Sequence, residues 1–290
     1  MAALDVLIPT YRRKAALATT LASLFGQTRR DFDVVISDQT EDDNPLESGE
    51  LVTLFRALRL RGQNVRALKH LPRRGMAEQR QFLLDQSRAP YVLFLDDDLL
   101  LEPDVVDRML RVIQEEGCGF VGCAPIGLSH LDDYRPHQHN LELWEGPVQP
   151  ERHTFDTVPW HRHVAHNAAN PLHLGWKHAA RGVLRYKVAW VGACVLYDRQ
   201  KLVDSGGYTW WPELPPEHCG EDVLAQLMVM SRHGGCGILP SGVYHLELGT
   251  EVPNRTANTD DLIRRYLRAP AEGSWASSSR SRKGGRRGKL

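Results

Sequence analysis

The strongest constraint on the fold is an alternation of short apolar runs with helix-spaced segments over the first 125 residues. "LDVLIP" (4–9), "FDVVIS" (32–37) and "YVLFL" (91–95) are apolar at nearly every position, and "NVRALKH" (64–70) is a weaker run of the same kind. A strand that is apolar throughout must be covered on both faces, which is the condition of a parallel sheet flanked by helices. The segments between supply the helices. Leu17, Leu21, Leu24 and Phe25 recur at helical spacing within Lys14–Phe25, and "GMAEQRQFLLDQS" (75–87) is helical. Pro103 opens a further helix through about Glu116 as a first-turn proline, and "GFVGCAP" (119–125) reads as another strand. The expected class is α/β with a mostly parallel sheet.

Ligands of such sheets bind beyond the carboxyl ends of the strands. Pro9-Thr10-Tyr11, Ser37-Asp38 and the triplet Asp96-Asp97-Asp98 all lie at such ends. Three adjacent carboxylates after a buried strand are costly without a positive partner. Side chains alternate along an extended segment, so Asp96 and Asp98 are expected on one face and Asp97 on the other. Two carboxylates converging there suit a divalent cation with hard oxygen ligands, Mg2+ or Mn2+. That ion, arriving with a phosphate ligand, is the positive partner expected. Capping of the following helix explains one aspartate but not three. A second acidic spot, Gly220-Glu221-Asp222, precedes a helical stretch at 223–233, and His245 ends the apolar run "VYH". A carboxylate is stabilised at a helix N-terminus, and a strand-terminal imidazole could complete a metal shell.

Composition bounds the rest. The chain has 290 residues, 42% hydrophobic and 25% charged, and zero formal net charge. The last 17 residues, "SWASSSRSRKGGRRGKL", hold six Lys/Arg and no acid, leaving 30 basic against 36 acidic residues in the remainder. Residues 269–290 are expected to be a disordered basic tail, either solvated or in weak contact with an anionic membrane surface; no nucleic acid is expected. Five scattered cysteines without a CxxC pair argue for a reducing compartment. No apolar stretch approaches a membrane span, and the charges of "MAALDVLIPTYRRK" follow its apolar run, the wrong order for a signal peptide. The expected location is cytoplasmic, with a peripheral place at the inner membrane as the variant the tail would allow.

The order PTYxR (9–13), "VVISDQT" (34–40), "RGMAEQR" (74–80), "VLFLDDD" (92–98), "WVGACVLYDRQKLVDSGGY" (190–208), "CGEDV" (219–223) and a late histidine resembles family 2 glycosyltransferases of the GT-A fold, over roughly residues 4–125 and 185–250. The resemblance implies a Rossmann-like donor half (1–125) and an acceptor-binding, catalytic half (126–268) of one domain. It implies a nucleotide-sugar donor, UDP-linked for preference, held by a metal on its diphosphate. Pro9, Tyr11 and Arg13 would line the nucleotide pocket, Asp38 would contact the base, and Gly75 and Arg80 would flank the diphosphate. Asp96 would bind the ribose and Asp98 the metal, with His245 as a further metal or phosphate contact. Asp97 belongs to the donor-binding triplet but, facing away, is the member expected to tolerate substitution. Asp222 matches the family's general base and Glu221 the residue before it, so the implied reaction is an inverting displacement by an acceptor hydroxyl. The acceptor is an unknown glycan, lipid-linked or small molecule. Two departures stand out: Ser37-Asp38-Gln39-Thr40 lacks the family's glycine, and Val191-Gly192-Ala193-Cys194 has one glycine where several are usual.

From about 126 to 180 the periodicity dissolves. Nine of the thirteen histidines fall between His130 and His178, including His161, His163 and His166. A zinc site, a mobile acceptor-binding lid and an ordinary surface excursion are the three readings. Trp210 and Trp211 could stack on the apolar faces of an acceptor sugar, or one of them could be core. "VAWVGACVLYD" (188–198) and "CGILPSGVYHLEL" read as strands and 259–268 as a last helix. Two other activities fit parts of the pattern: a HAD-like phosphohydrolase, which wants its DxD earlier in the chain, and an inactive sugar-nucleotide-binding protein, against which the retained Asp222 argues.

Overall fold

A computed structural model describes residues 2–250 and 256–267. The elements of the first 95 residues follow the apolar runs closely. Strand β1 is Leu4–Thr10, β2 Phe32–Asp38, β3 Val65–Lys69 and β4 Tyr91–Leu95; the helices between are α1 (Lys14–Phe25), α2 (Gly49–Leu60) and α3 (Met76–Gln86). Then come β5 (Leu99–Leu101), α4 (Val105–Glu116), β6 (Phe120–Gly122), β7 (Ile126–Gly127), α5 (Asn170–Lys177) and β8 (Leu184–Tyr186). The chain continues through β9 (Cys194–Asp198), α6 (Arg199–Asp204), α7 (Glu221–His233), β10 (Gly235–Leu239), β11 (Val243–His245) and α8 (Asp260–Leu267).

Eight strands form one sheet in the order β3-β2-β1-β4-β9-β6-β10-β8. β1 to β4 are parallel, whereas β9 runs antiparallel between β4 and β6, and β8 is antiparallel at the edge. Side-chain alternation sorts the strand residues onto two cores. Val6, Ile8, Val34, Ile36, Leu93 and Leu95 pack with α1, α2 and α4 on one face. Leu7, Val35, Val92 and Phe94 pack with α3, α7 and α8 on the other. Pairing of β1 with β4 ends at Leu7, two residues before Pro9, which has no N–H to extend the ladder.

The antiparallel β9 matters for the site. Its register sets Cys194 opposite Leu95, so it enters the sheet at the edge where the parallel strands end. The strand expected at 188–198 is therefore confined to Cys194–Asp198, and the preceding turn lies against the aspartate triplet. The single strand read from "CGILPSGVYHLEL" is two. Pro240-Ser241-Gly242 interrupts it, and β11 joins a separate three-stranded sheet, β5-β11-β7.

Residues 126–180 are not a structureless excursion. They fold as β7, α5 and several 3-10 turns, and their histidines hold them together. His139 Nε2 pairs with Asn170 Oδ1 at 3.2 Å, His153 Nε2 with the Ala189 carbonyl at 3.0 Å, and His173 Nε2 with the Leu131 carbonyl at 2.9 Å. His166 Nε2 meets the Tyr186 hydroxyl at 3.0 Å, and burial lowers its pKa to about 4, so it stays neutral. Each of these imidazoles is tied to the fold through Nε2, while Nδ1 of His153 and of His173 is buried without a partner, and among the described residues no three His, Cys, Asp or Glu converge to hold a metal. The basic tail at 269–290 lies outside the described residues.

Candidate active site

A cavity of about 390 Å³ opens at the carboxyl ends of β1, β2 and β4. Of the residues singled out in the sequence, Pro9, Tyr11, Arg13, Gly75, Asp96, Asp97, Asp98 and His245 line it. They arrive by several elements. β1 delivers Pro9, the turn into α1 delivers Tyr11 and Arg13, the turn into α3 delivers Gly75, the turn after β4 delivers the three aspartates, and β11 delivers His245.

The triplet does not divide as strand alternation predicts. β4 ends at Leu95 and the chain turns at Asp97 and Asp98, so period-two geometry stops at Asp96. Asp96 continues the Phe94 face and accepts from Arg80 Nη2 at 3.0 Å. Asp98 Oδ2 accepts from Arg13 Nη1 at 2.6 Å, and Asp97 Oδ1 lies 3.6 Å from the same nitrogen. Asp97 is thus inside the site, not turned away from it. It is 5% exposed and its Oδ2 accepts from the Thr10 hydroxyl at 2.5 Å. The positive partners of the triplet are two arginines of the chain itself.

Burial decides the charge of these groups. Desolvation raises the Asp96 carboxyl, against the lowering pull of Arg80, and pushes Asp97 up to about 7 in spite of its hydrogen bond to Thr10. Asp98 Oδ2 also faces His245 Nε2 at 3.6 Å. His245 Nδ1 accepts the Glu247 N–H at 2.7 Å, which orients the ring.

Arg80 departs from its expected place at the diphosphate. It is 4% exposed and absent from the cavity wall, with Nε donating to Glu221 Oε1 at 3.2 Å and its face on the Phe94 ring at 5.6 Å. One guanidinium therefore ties the aspartate turn to the N-terminus of α7. Beside that knot, Asp222 is partly buried; desolvation and the neighbouring Glu221 charge push its carboxyl up to about 7. Asp222 and Glu221 stand next to Asp96 rather than in the wall of the main cavity.

Glycosyl transferase family 2 matches the chain over residues 5–175, more than half its length. The chain belongs to that family. An "Uncharacterized glycosyltransferase" of Haemophilus influenzae is 30% identical over 112 residues, 39% of this chain and 35% of that protein. The chain thus spans about a third of that relative's length. Among solved structures, S. aureus TarS 1–349 in complex with UDP-GlcNAc superposes with a TM-score of 0.59 at 16% identity, over 87% of this chain and 60% of that one. The same protein in complex with UDP gives 0.52, at 16% identity over 89% and 60%. At such identity the likeness is one of fold, and the fold is GT-A.

Set beside the family pattern, Asp38 does not reach the cavity. It has no exposed surface; Lys69 Nζ bonds its Oδ2 at 2.9 Å and the Thr40 hydroxyl its Oδ1 at 2.7 Å, while Gln39 takes its place in the wall. Trp210 is 4% exposed and packs on Tyr208, so it is core; Trp211 stays partly exposed beside Arg74. Two wall residues carry little signal in the sequence. Arg73 lies over the Tyr11 ring at 4.0 Å, and its one mark is its place in the basic run before Gly75. His218 is hidden because its partners are remote in sequence or irregular in structure: Nε2 accepts the Ala77 N–H at 3.1 Å and Nδ1 donates to the Pro215 carbonyl at 2.7 Å.

Proposed function

We propose that this chain moves a sugar from a nucleotide-diphosphate sugar to an acceptor hydroxyl with inversion, Asp222 acting as general base. The observation that carries the reading is the Arg80 bridge, which sets Asp96 of the donor cavity and Glu221-Asp222 of the α7 N-terminus side by side. A base whose pKa lies near 7 is matched to proton removal at neutral pH. UDP-sugars are the favoured donors, in keeping with the UDP-GlcNAc bound to TarS. Tyr11, with Arg73 over its ring, offers a stacking surface for a base, and Asp96 a ribose contact. The acceptor, a glycan, a lipid-linked or a small molecule, would approach on the side of Asp222 and Trp211. Residues 1–125 then serve the donor and 126–268 the acceptor. Among the described residues no helix is long and apolar enough to cross a membrane, so any contact of these residues with one would be peripheral, and the basic tail offers the charge for it.

The residues present suit a divalent ion. Asp98 Oδ2 and His245 Nε2 lie 3.6 Å apart in the cavity wall as carboxylate and imidazole donors, and phosphate and water oxygens complete such shells. Mn2+ or Mg2+ bound there would supply charge neutralisation for the departing nucleoside diphosphate. Everything else falls to the chain: the cavity positions the donor, Arg80 holds the two acidic turns in register, and Asp222 takes the acceptor proton.

The test is Asp222→Asn. Turnover should fall by roughly 10²–10⁴-fold while donor affinity by calorimetry stays within about twofold. In the wild type kcat should climb as pH rises through about 7, where Asp222 ionises. Near-normal turnover in the variant would remove Asp222 from the mechanism.

A further inference from the structure

The aspartate turn already contains a cation. Arg13 Nη1 sits 2.6 Å from Asp98 Oδ2, and its Nη2 donates to the Gly249 carbonyl. The guanidinium is largely buried, 16% exposed, and permanently charged, so it cannot yield its place by losing a proton. Asp98 Oδ2 is also the oxygen that faces His245 Nε2. A divalent ion held between Asp98 and His245 would sit against that same oxygen, the one that faces the imidazole. Two cations in contact with one carboxylate oxygen in a semi-buried cavity repel strongly, since the local dielectric screens them far less than water does.

We propose that Arg13 is the resident counter-cation of the aspartate turn and competes with divalent metal for Asp98, so that an ion binds there only as Arg13 leaves. This rests on the metal assignment at Asp98 and His245 made above. Departure of Arg13 also breaks its bond to the Gly249 carbonyl, in the segment that contributes Leu248 and Thr250 to the cavity wall. Cation binding is thereby linked to the arrangement of 246–250. A donor diphosphate favours the exchange, because it offers the displaced guanidinium a new anionic partner. Metal and nucleotide should then bind cooperatively, and metal alone weakly.

The experiment titrates Mn2+ alone into the full chain and reads free ion by electron paramagnetic resonance, without donor or turnover. Arg13→Gln should bind Mn2+ at least tenfold more tightly than wild type, and adding Asp98→Asn should abolish the gain. Arg13→Lys, which keeps the charge, should stay close to wild type. Circular dichroism verifies folding, and Arg13→Met, which keeps the apolar stem, repeats the measurement if the glutamine variant does not fold. An affinity for Mn2+ that is unchanged or weaker without Arg13 overturns the proposal. So does a gain that survives Asp98→Asn, or an absence of binding in every variant. Failure of the transfer reading shows itself elsewhere, in the turnover of Asp222→Asn, whose Mn2+ binding is not at issue.

Discussion

Ala193 adopts φ +66, a left-handed conformation that costs a residue with a Cβ roughly 1–2 kcal/mol. Its carbonyl accepts the Asp96 N–H at 2.9 Å, so the strained turn supports the first aspartate of the triplet. Ala193→Gly relieves the strain, partly offset by the greater freedom of glycine in the unfolded chain. A net gain of about 0.5 kcal/mol is expected, seen as a small rise in the thermal midpoint. The sequence marks this position as a departure from a glycine-rich pattern, and the backbone shows what the missing glycine would do. Asp97 gives a second prediction at this scale. Its carboxyl lies near 7 in the fold against an ordinary 3.8, so between those values the folded chain keeps a proton that the unfolded chain releases. The sign follows directly: stability from this group is present below about pH 4 and is lost as pH rises toward 7. Asp97→Asn keeps an acceptor for Thr10 and should remove this part of the slope. Its midpoint relative to wild type should rise from pH 5 to pH 8; a constant difference would show that Asp97 ionises normally.

Among the elements, α3 shows what local sequence reveals and what it conceals. Its extent is legible, because helical spacing carries over "GMAEQRQFLLDQS" and the spaced apolar residues Ala77, Leu83 and Leu84 are the ones that pack into the core. Its N-terminus is not. Gly75 at φ +100 brings no capping side chain, and the orphan N–H of Ala77 is satisfied by His218, 141 residues later. Gly75 also leaves no room for a Cβ, which would stand 2.5 Å from the Pro216 carbonyl oxygen. His218→Ala should therefore cost about 1–2 kcal/mol, as loss of a helix cap does, measured by urea unfolding. It should also weaken donor binding, since the same contact closes the cavity wall over Gly75. Stability equal to wild type would show that water replaces the ring without penalty. The helix α2, with Leu51, Phe55 and Leu58 buried at helical spacing, is equally readable from pattern, yet it is missing from the elements expected above. The histidine-rich stretch is unreadable for another reason: its order comes from side-chain to carbonyl bonds that carry no period.

For the whole molecule, the parallel half of the sheet is legible because strands buried on both faces leave a continuous apolar signature, whereas the antiparallel insertion of β9 depends on pairing that no local pattern encodes. The same holds for Arg80. Its motif marks it for the ligand, but its two carboxylate partners, Asp96 and Glu221, make it the tie between the parallel strands and α7. Removing a buried charge from between two acids leaves both uncompensated, typically at about 3–5 kcal/mol. Asp96 keeps a third of its side chain in solvent, so Arg80→Met should cost about 3 kcal/mol, at the lower end of that range. Urea unfolding of the variant should show an earlier midpoint, and Arg80→Lys, which cannot span both carboxylates, should fall between. Adding Glu221→Gln to Arg80→Met should recover part of the loss, because the orphaned acid is gone; two independent sites would instead give additive losses. Recovery in stability without recovery in turnover would separate a structural from a positioning duty of Arg80, since the neutral pair restores burial without restoring the ion pairs that hold the N-terminus of α7 beside Asp96.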